Sequence, residues 1–158
     1  GTQQREEGAQ PVNVTRDTAV RLFGYANELG ESLRQFISRR VYLGTYAISS
    51  GYVVADTYLQ AKLEEGSPLH VIAKAVDCLV WQSLASVIVP GIAINRAVAL
   101  TTFLCSRGRV RPSVATWAPT SVGLGLIPFI VRPIDSGVDK VMDRTLRVGL
   151  NSLLSEEA

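Results

Sequence analysis

The residues of this chain that could do chemistry are charged and amide side chains set inside or beside apolar runs. Asp56, Asp77, Gln82, Asn95, Arg96 and Arg132 interrupt or border such runs, and Asp135 and Asp139 follow shortly after one. Carboxylates spread through the depth of a membrane can relay protons or ions. Asp56 and Asp77, however, are expected at the same end of successive antiparallel helices, which argues against a relay. Catalytic arrangements are missing from the sequence, with no Gly-rich phosphate loop, no GxSxG and no HExxH. The lone His70 has no second ligand nearby. Cys78 and Cys105 lie in apolar surroundings without a neighbouring His or Cys and read as small fillers, not as metal ligands or a disulfide framework. No catalytic, metal or cofactor site is assigned, and a bound phospholipid is the one non-protein component left open.

The elements that must position these residues follow from where charge is absent. The chain has 158 residues, of which 47% are hydrophobic and 19% charged, against about 25% charged in soluble domains. Sixteen basic and fourteen acidic residues leave a net charge of +2, too little for a protein that gains affinity by neutralising phosphates. The stretch 112–131, PSVATWAPTSVGLGLIPFIV, contains no ionisable side chain, and 41–55 and 78–95 contain no Asp, Glu, Lys or Arg. Roughly 20 such residues cross about 30 Å of hydrocarbon, so spans are expected at about 40–59, 75–95 and 113–131. Pro90, Pro119 and Pro128 fall within them. An aqueous helix would lose about 3 kcal/mol at each, whereas membrane helices accommodate them. Kinks are expected near Pro90-Gly91 and near Pro128. Small residues four apart, Ala47-Gly51-Ala55 and Ser121-Gly125, are expected to form close-packing helix faces.

Amphipathic helices are expected to flank the spans. The first, about 17–38, carries Leu22, Ala26, Leu29, Leu33 and Phe36 on one stripe, and is read either as lying in the membrane interface or as docked on a partner. The second, about 134–154, carries Ile134, Val138, Met142, Leu146, Leu150 and Leu153. Apolar character over 69–105 would make a helix of roughly 55 Å, so an interruption is expected at Pro90-Gly91 or Asn95-Arg96, with 97–105 either a projection or a re-entrant piece. The fold class is thus an all-α integral membrane protein, one membrane domain over 1–158 with about three transmembrane helices. Arg132 is expected to pair with Asp56 or Asp77, and Arg96 with Glu28, Glu31 or a lipid phosphate. Ten basic residues on the N-terminal side, through Arg40 and over 96–111, against six on the other place the N-terminus in the matrix by the positive-inside rule. The opening stretch GTQQREEGAQPVNV has no apolar signal core and no initiator Met, which leaves a processed product and a partial sequence both open.

Four segments carry a resemblance: GYANELGESLR at 24–34, SGYVVAD at 50–56, VDCLVWQSLASVIVPGIAINR at 76–96 and PIDSGVD at 133–139. Together they resemble the mitochondrial fission process protein 1 family, over roughly 17–146 and in the same order. The matched positions are Asp56, Asp77, Trp81, Gln82, Pro90, Gly91, Asn95, Arg96, Asp135 and Asp139, to which the family gives no defined chemical role. The resemblance implies a non-catalytic integral protein of the mitochondrial inner membrane, involved in fission and inner-membrane integrity. Its expected partners are inner-membrane lipids and other membrane protein subunits, with no nucleic acid and no small-molecule substrate. Two further readings stay open: an accessory structural subunit of a respiratory-chain complex or ATP synthase assembly, and an ion or proton leak.

Overall fold

A computed structural model of the chain describes residues 23–157, with the side chains described through 155. These residues are helical almost throughout and contain no strand. A single 3-10 turn at 23–25 leads into α1 (Ala26–Ser32), followed by α2 (Arg39–Leu63), α3 (Pro68–Ser83), a π-helical turn (Leu84–Ile88), α4 (Val89–Arg107), α5 (Pro112–Arg144) and α6 (Leu146–Glu157). Local chemistry sets the boundaries. Ser38 caps α2 by accepting from the Val41 amide at 3.4 Å. Pro68 and Pro112 open α3 and α5 in the first turn, where the missing N–H would have had no partner anyway. The four-residue connections 64–67 and 108–111 make the three long helical segments antiparallel neighbours.

The expected break in the second segment is a bulge. Pro90 supplies no donor to the preceding turn, and the helix widens to π geometry immediately before it, with the Val89 amide reaching Leu84 O. Helix then continues to Arg107, so 97–105 extends the helix and is not re-entrant. The third segment departs from expectation more strongly. Pro119, Pro128 and Pro133 are all held inside one helix, which ends only at Thr145 (φ −128°, ψ −90°). The expected division into a span at 113–131 and a separate helix at 134–154 is therefore replaced by α5 and a short α6. Pro68–Arg107, at 40 residues, and Pro112–Arg144, at 33, are long and apolar enough to cross a membrane. The 25 residues of α2 have the length, but Tyr, Ser and Thr dilute their hydropathy and α2 is not among those two.

The expected N-terminal amphipathic helix is corrected in length and in place. Residues 17–22 lie outside the described residues, and the helical part is seven residues long. It lies among the long helices as a half-height fourth member, touching α2, α4 and α5. Gly24 sits against Tyr52 and Ser86, Asn27 bonds Ser49 and Val87, and Glu31 bonds Tyr42, Tyr46 and Asn95. This register makes α1 antiparallel to α2 and places its start near the midpoint of Pro68–Arg107. Its polar face, Asn27, Glu28, Glu31 and Ser32, is buried, while Leu29 and Phe36 of the expected apolar stripe face outward.

The whole molecule shares that inversion. The buried set of described residues holds as many polar or charged side chains as hydrophobic ones, and the outside carries large apolar side chains from end to end. Phe129 is 78% exposed and Val54 63%. A contiguous hydrophobic cluster of Trp81, Ala85, Val138 and Met142 joins α3 and the π turn to the C-terminal half of α5. Close helix approach also occurs at other glycines than expected. Ala47, Gly51, Ala55, Ser121 and Gly125 face outward, and a Cβ at Gly51 or Gly125 would meet nothing within 4 Å. At Gly123 a Cβ would lie 2.7 Å from Ser32 Oγ and 2.9 Å from Val98 Cγ2, and at Gly30 it would run into Thr45. Gly123→Ala is accordingly expected to lower stability by about 1–3 kcal/mol through overpacking, whereas Gly51→Ala and Gly125→Ala should be neutral or stabilise by up to about 1 kcal/mol through helix propensity. Thermal unfolding of the three variants in one detergent checks this order.

Candidate functional site

The candidate site is a polar seam enclosed between the helices, built from three clusters at successive heights. The first surrounds α1. Glu31 accepts hydrogen bonds from the hydroxyls of Tyr42 and Tyr46, both at 2.6 Å, and from Asn95 Nδ2 at 2.8 Å, with Arg34 4.0 Å away. Burial works to raise its pKa, but the donors Tyr42, Tyr46 and Asn95, aided by the Arg34 charge, outweigh it and hold the carboxyl below its ordinary value. One turn away, Asn27 receives Ser49 Oγ on its Oδ1 at 2.9 Å and donates from Nδ2 to Val87 O at 3.0 Å, a carbonyl of the π turn. Gln35 and Ser32 join this cluster to α5: Thr120 donates to Ser32 O at 2.9 Å and accepts from Gln35 at 3.0 Å.

The second cluster lies deeper. Ser86 donates to Gln82 Oε1 at 2.6 Å, Gln82 donates from Nε2 to Asp56 Oδ2, and Cys78 Sγ lies 3.5 Å from the same oxygen. Asp56 is fully buried. The third cluster closes the opposite end. Arg147 on α6 bonds Asp77 from Nε at 2.7 Å, Asp143 at 2.7 Å and Asp139 at 3.2 Å, while Asp139 also accepts from Trp81 Nε1 at 2.9 Å. Asp77 foremost, then Asp143 and Asp139, raise the guanidinium above its already high value against the opposing effect of burial.

These contacts regroup the expected site residues. Gln82 and Asp56 do meet, and so do Asn95 and the α1 face, with Gly91 leaving room for Asn27 and Tyr46. Pro90 is buried directly after the bulge. Asp135 is half-buried, and Asp77 and Asp139 share one cation. That cation is Arg147, not Arg132. Arg132 is exposed and pairs with neither Asp56 nor Asp77, because α5 runs on past it and the turn at Thr145 brings Arg147 back over α3 instead. Arg96 is likewise exposed and pairs with neither Glu28 nor Glu31. Tyr42, Tyr46, Ser49, Thr120 and Arg147 went unassigned from sequence, and Glu28 and Glu31 were expected only as partners of Arg96. A signal for α2 existed: Tyr42, Tyr46, Ser49, Asp56 and Gln60 recur at helical spacing, marking one polar stripe on an otherwise apolar helix. No group of three or more His, Cys, Asp or Glu able to hold a metal occurs among the described residues.

Glu28 differs from its neighbours. It is buried, and neither carboxyl oxygen finds a hydrogen-bond partner. It lies on α1, outside the two long apolar helices, and burial, weakly opposed by its own amide, pushes its pKa from 4.5 up to about 8. The folded chain therefore holds a proton that the unfolded chain releases above about 4.5, and stability falls as pH rises through this window until Glu28 ionises near 8. Glu28→Gln should match the parent near pH 4, gain on it progressively above that, and exceed it most clearly at pH 9, where the parent's unpartnered carboxyl is ionised and the amide stays neutral. Unfolding midpoints of both chains between pH 4 and 9 measure this.

Comparison with known proteins places this arrangement. The family model described as Mitochondrial 18 KDa protein matches residues 62–142, from the end of α2 through Met142 of the hydrophobic cluster. A zebrafish (Danio rerio) protein named mitochondrial fission process protein 1 is 41% identical over 147 residues, 88% of this chain and 89% of the relative. The human protein of the same name is 40% identical over 143 residues, covering 85% and 86%. A mimivirus protein, uncharacterized protein R740, is 29% identical over 136 residues, covering 80% and 73%. No solved structure matches. With this identity across nearly the whole chain, the chain belongs to the mitochondrial fission process protein 1 family.

Proposed function

We propose that this chain is an integral protein of the mitochondrial inner membrane that acts without catalysis in mitochondrial fission and in maintaining that membrane. The observation that carries the membrane part is the inverted packing: carboxylates and amides paired inside, and large apolar side chains such as Phe129, Val54 and Phe103 outside. In water such a surface would drive aggregation, whereas in hydrocarbon it needs no cover and the polar groups must satisfy one another. The role in fission comes from the name shared by the relatives.

In this reading α2 is a third span beside Pro68–Arg107 and Pro112–Arg144. Its polar side chains Ser49, Tyr52 and Asp56 are buried, so the face left to lipid is more apolar than its average. At about 1.5 Å per residue, Pro68–Arg107 measures roughly 60 Å, twice the hydrocarbon thickness, so it must project beyond one surface. Cations set the orientation. Arg34, Arg39, Arg40, Arg96 and 107–111 gather at the end where α1 emerges, and the positive-inside rule puts that end in the matrix.

Alkaline carbonate extraction of mitochondria, together with protease protection with the outer membrane intact or opened, tests the reading. The chain is expected to stay in the membrane pellet and to resist protease until the outer membrane is opened, and its depletion is expected to elongate the mitochondrial network. Release into the carbonate supernatant contradicts the membrane part, and an unchanged network contradicts the fission part.

A further inference from the structure

The two ends of the bundle differ in the chemistry of their charges. At the end where α1 emerges, every described cation is an arginine, and all three lysines of the chain, Lys62, Lys74 and Lys140, lie toward the other end. The acidic residues of the arginine end, Glu28 and Glu31, are buried beneath it, so its surface presents positive charge without an exposed carboxylate among the described residues. Arginine differs from lysine in offering a planar fork of N–H donors that matches a phosphate with two parallel bonds.

A cleft of about 480 Å³ opens at this end, lined by Arg34, Ile37, Arg39, Tyr42 and Leu43. The Arg34 guanidinium lies over the Tyr42 ring, 5.0 Å from its centroid. The Tyr42 ring on one side and the Glu31 carboxylate, 4.0 Å from Nη1, locate the guanidinium, while its side chain remains 59% exposed. Ile37 and Leu43 supply an apolar wall next to the two cations. Nearby, Phe36 stacks on Trp117 with ring centroids 4.7 Å apart, and Trp117 is 59% exposed. Exposed tryptophan characteristically sits at the headgroup level of a bilayer. The cleft at the opposite end has a different lining: Glu64 and Asp77 stand beside Lys74 and Arg147, and Arg147 already serves three carboxylates. An anion there would meet fixed negative charge.

We propose that the Arg34–Arg39 cleft binds the phosphate group of an anionic phospholipid. The two guanidinium groups take the phosphate oxygens, and the first acyl segment lies along Ile37 and Leu43. A free phosphate uses only the cationic half of this lining, and a zwitterionic headgroup brings its own positive charge up against the arginines. The inference rests on the membrane reading of the preceding subsection, which carbonate extraction tests separately.

The test is a titration of the full-length chain, purified in a mild non-ionic detergent, with phosphatidylglycerol, phosphatidylcholine or inorganic phosphate, following binding by thermophoresis. Phosphatidylglycerol is expected to bind at least tenfold more tightly than phosphatidylcholine and at least tenfold more tightly than phosphate. The double variant Arg34→Gln/Arg39→Gln should weaken phosphatidylglycerol about tenfold, while Arg132→Gln, an exposed arginine of α5 outside the cleft, should leave it unchanged. Should the double variant fail to fold, Arg39→Gln alone, which removes an exposed side chain, is expected to cost at least threefold. Equal affinity for the two lipids, an equal loss in Arg132→Gln, no loss in the cleft variants, or displacement of the lipid by equimolar phosphate would each overturn the proposal.

Discussion

The carboxylate of Glu31 ties together three segments distant in sequence. It stands on a helix of only seven residues, too short to persist alone, and its oxygens take donors from Tyr42 and Tyr46 on α2 and from Asn95 on α4. Hydrogen bonds to a charged group contribute about 1.5–3 kcal/mol each, so these three bonds are large on the scale of a single domain's stability. They also act in both directions. Without them a buried anion would be left among apolar helices, and two tyrosine hydroxyls and an amide would lose their acceptor. The position of α1, and with it the packing of Gly30, Gly91 and Gly123 against α1 and its neighbours, depends on this one group.

Below Glu31 the seam repeats the same constraint with other chemistry. Asn27 and Ser49 satisfy each other and the π-turn carbonyl of Val87, and Ser86, Gln82 and Asp56 form the next chain of donors and acceptors. The π turn takes part in both, because Ser86 lies within it and Val87 O is the acceptor for Asn27. Pro90 thus has a structural consequence beyond a missing hydrogen bond: the turn it widens supplies two polar partners facing the bundle axis. At the far end Arg147 does for Asp77, Asp139 and Asp143 what Tyr42, Tyr46 and Asn95 do for Glu31. Along the seam, polar groups face inward and are largely paired, while many large apolar side chains face outward. Hydrocarbon as the surrounding solvent would favour this arrangement, because no water is available there to hydrogen-bond an exposed polar group.

Much of this was legible in the residues, with the errors concentrated at one kind of decision. The charge-free windows located the long helices and the three prolines did not hide them. Periodicity also showed that α1 has two unlike faces, but it carries no information about which face is inside. Leu29 and Phe36, expected to face the membrane interface or a partner, do face outward, and the spacing alone does not reveal that the opposite, polar face is enclosed among the long helices. The spacing of small residues pointed to Ala47, Gly51 and Ala55 as packing positions, whereas Gly30 and Gly123 are where backbones and side chains meet. The partner of Asp77 was misassigned for a separate reason. Ending the span where the charge-free window stops put Arg132 at its end, and only a helix continuing to Arg144 brings Arg147 round to α3. Polar spacing along α2, from Tyr42 to Gln60, contained the seam and needed only to be read as an inward face.

The central claim, that α1 lies within the bundle with its polar face against α2, is tested most directly by disulfide trapping. Asn27→Cys and Ser49→Cys, introduced together into a chain with Cys78 and Cys105 replaced by alanine, put two thiols where the side chains now touch at 2.9 Å. Mild oxidation in native mitochondrial membranes is predicted to form the intramolecular disulfide, and to leave the cysteine at 27 unreactive toward a membrane-impermeant maleimide before oxidation. Absence of the cross-link together with ready maleimide labelling would place α1 at the membrane surface and contradict the account.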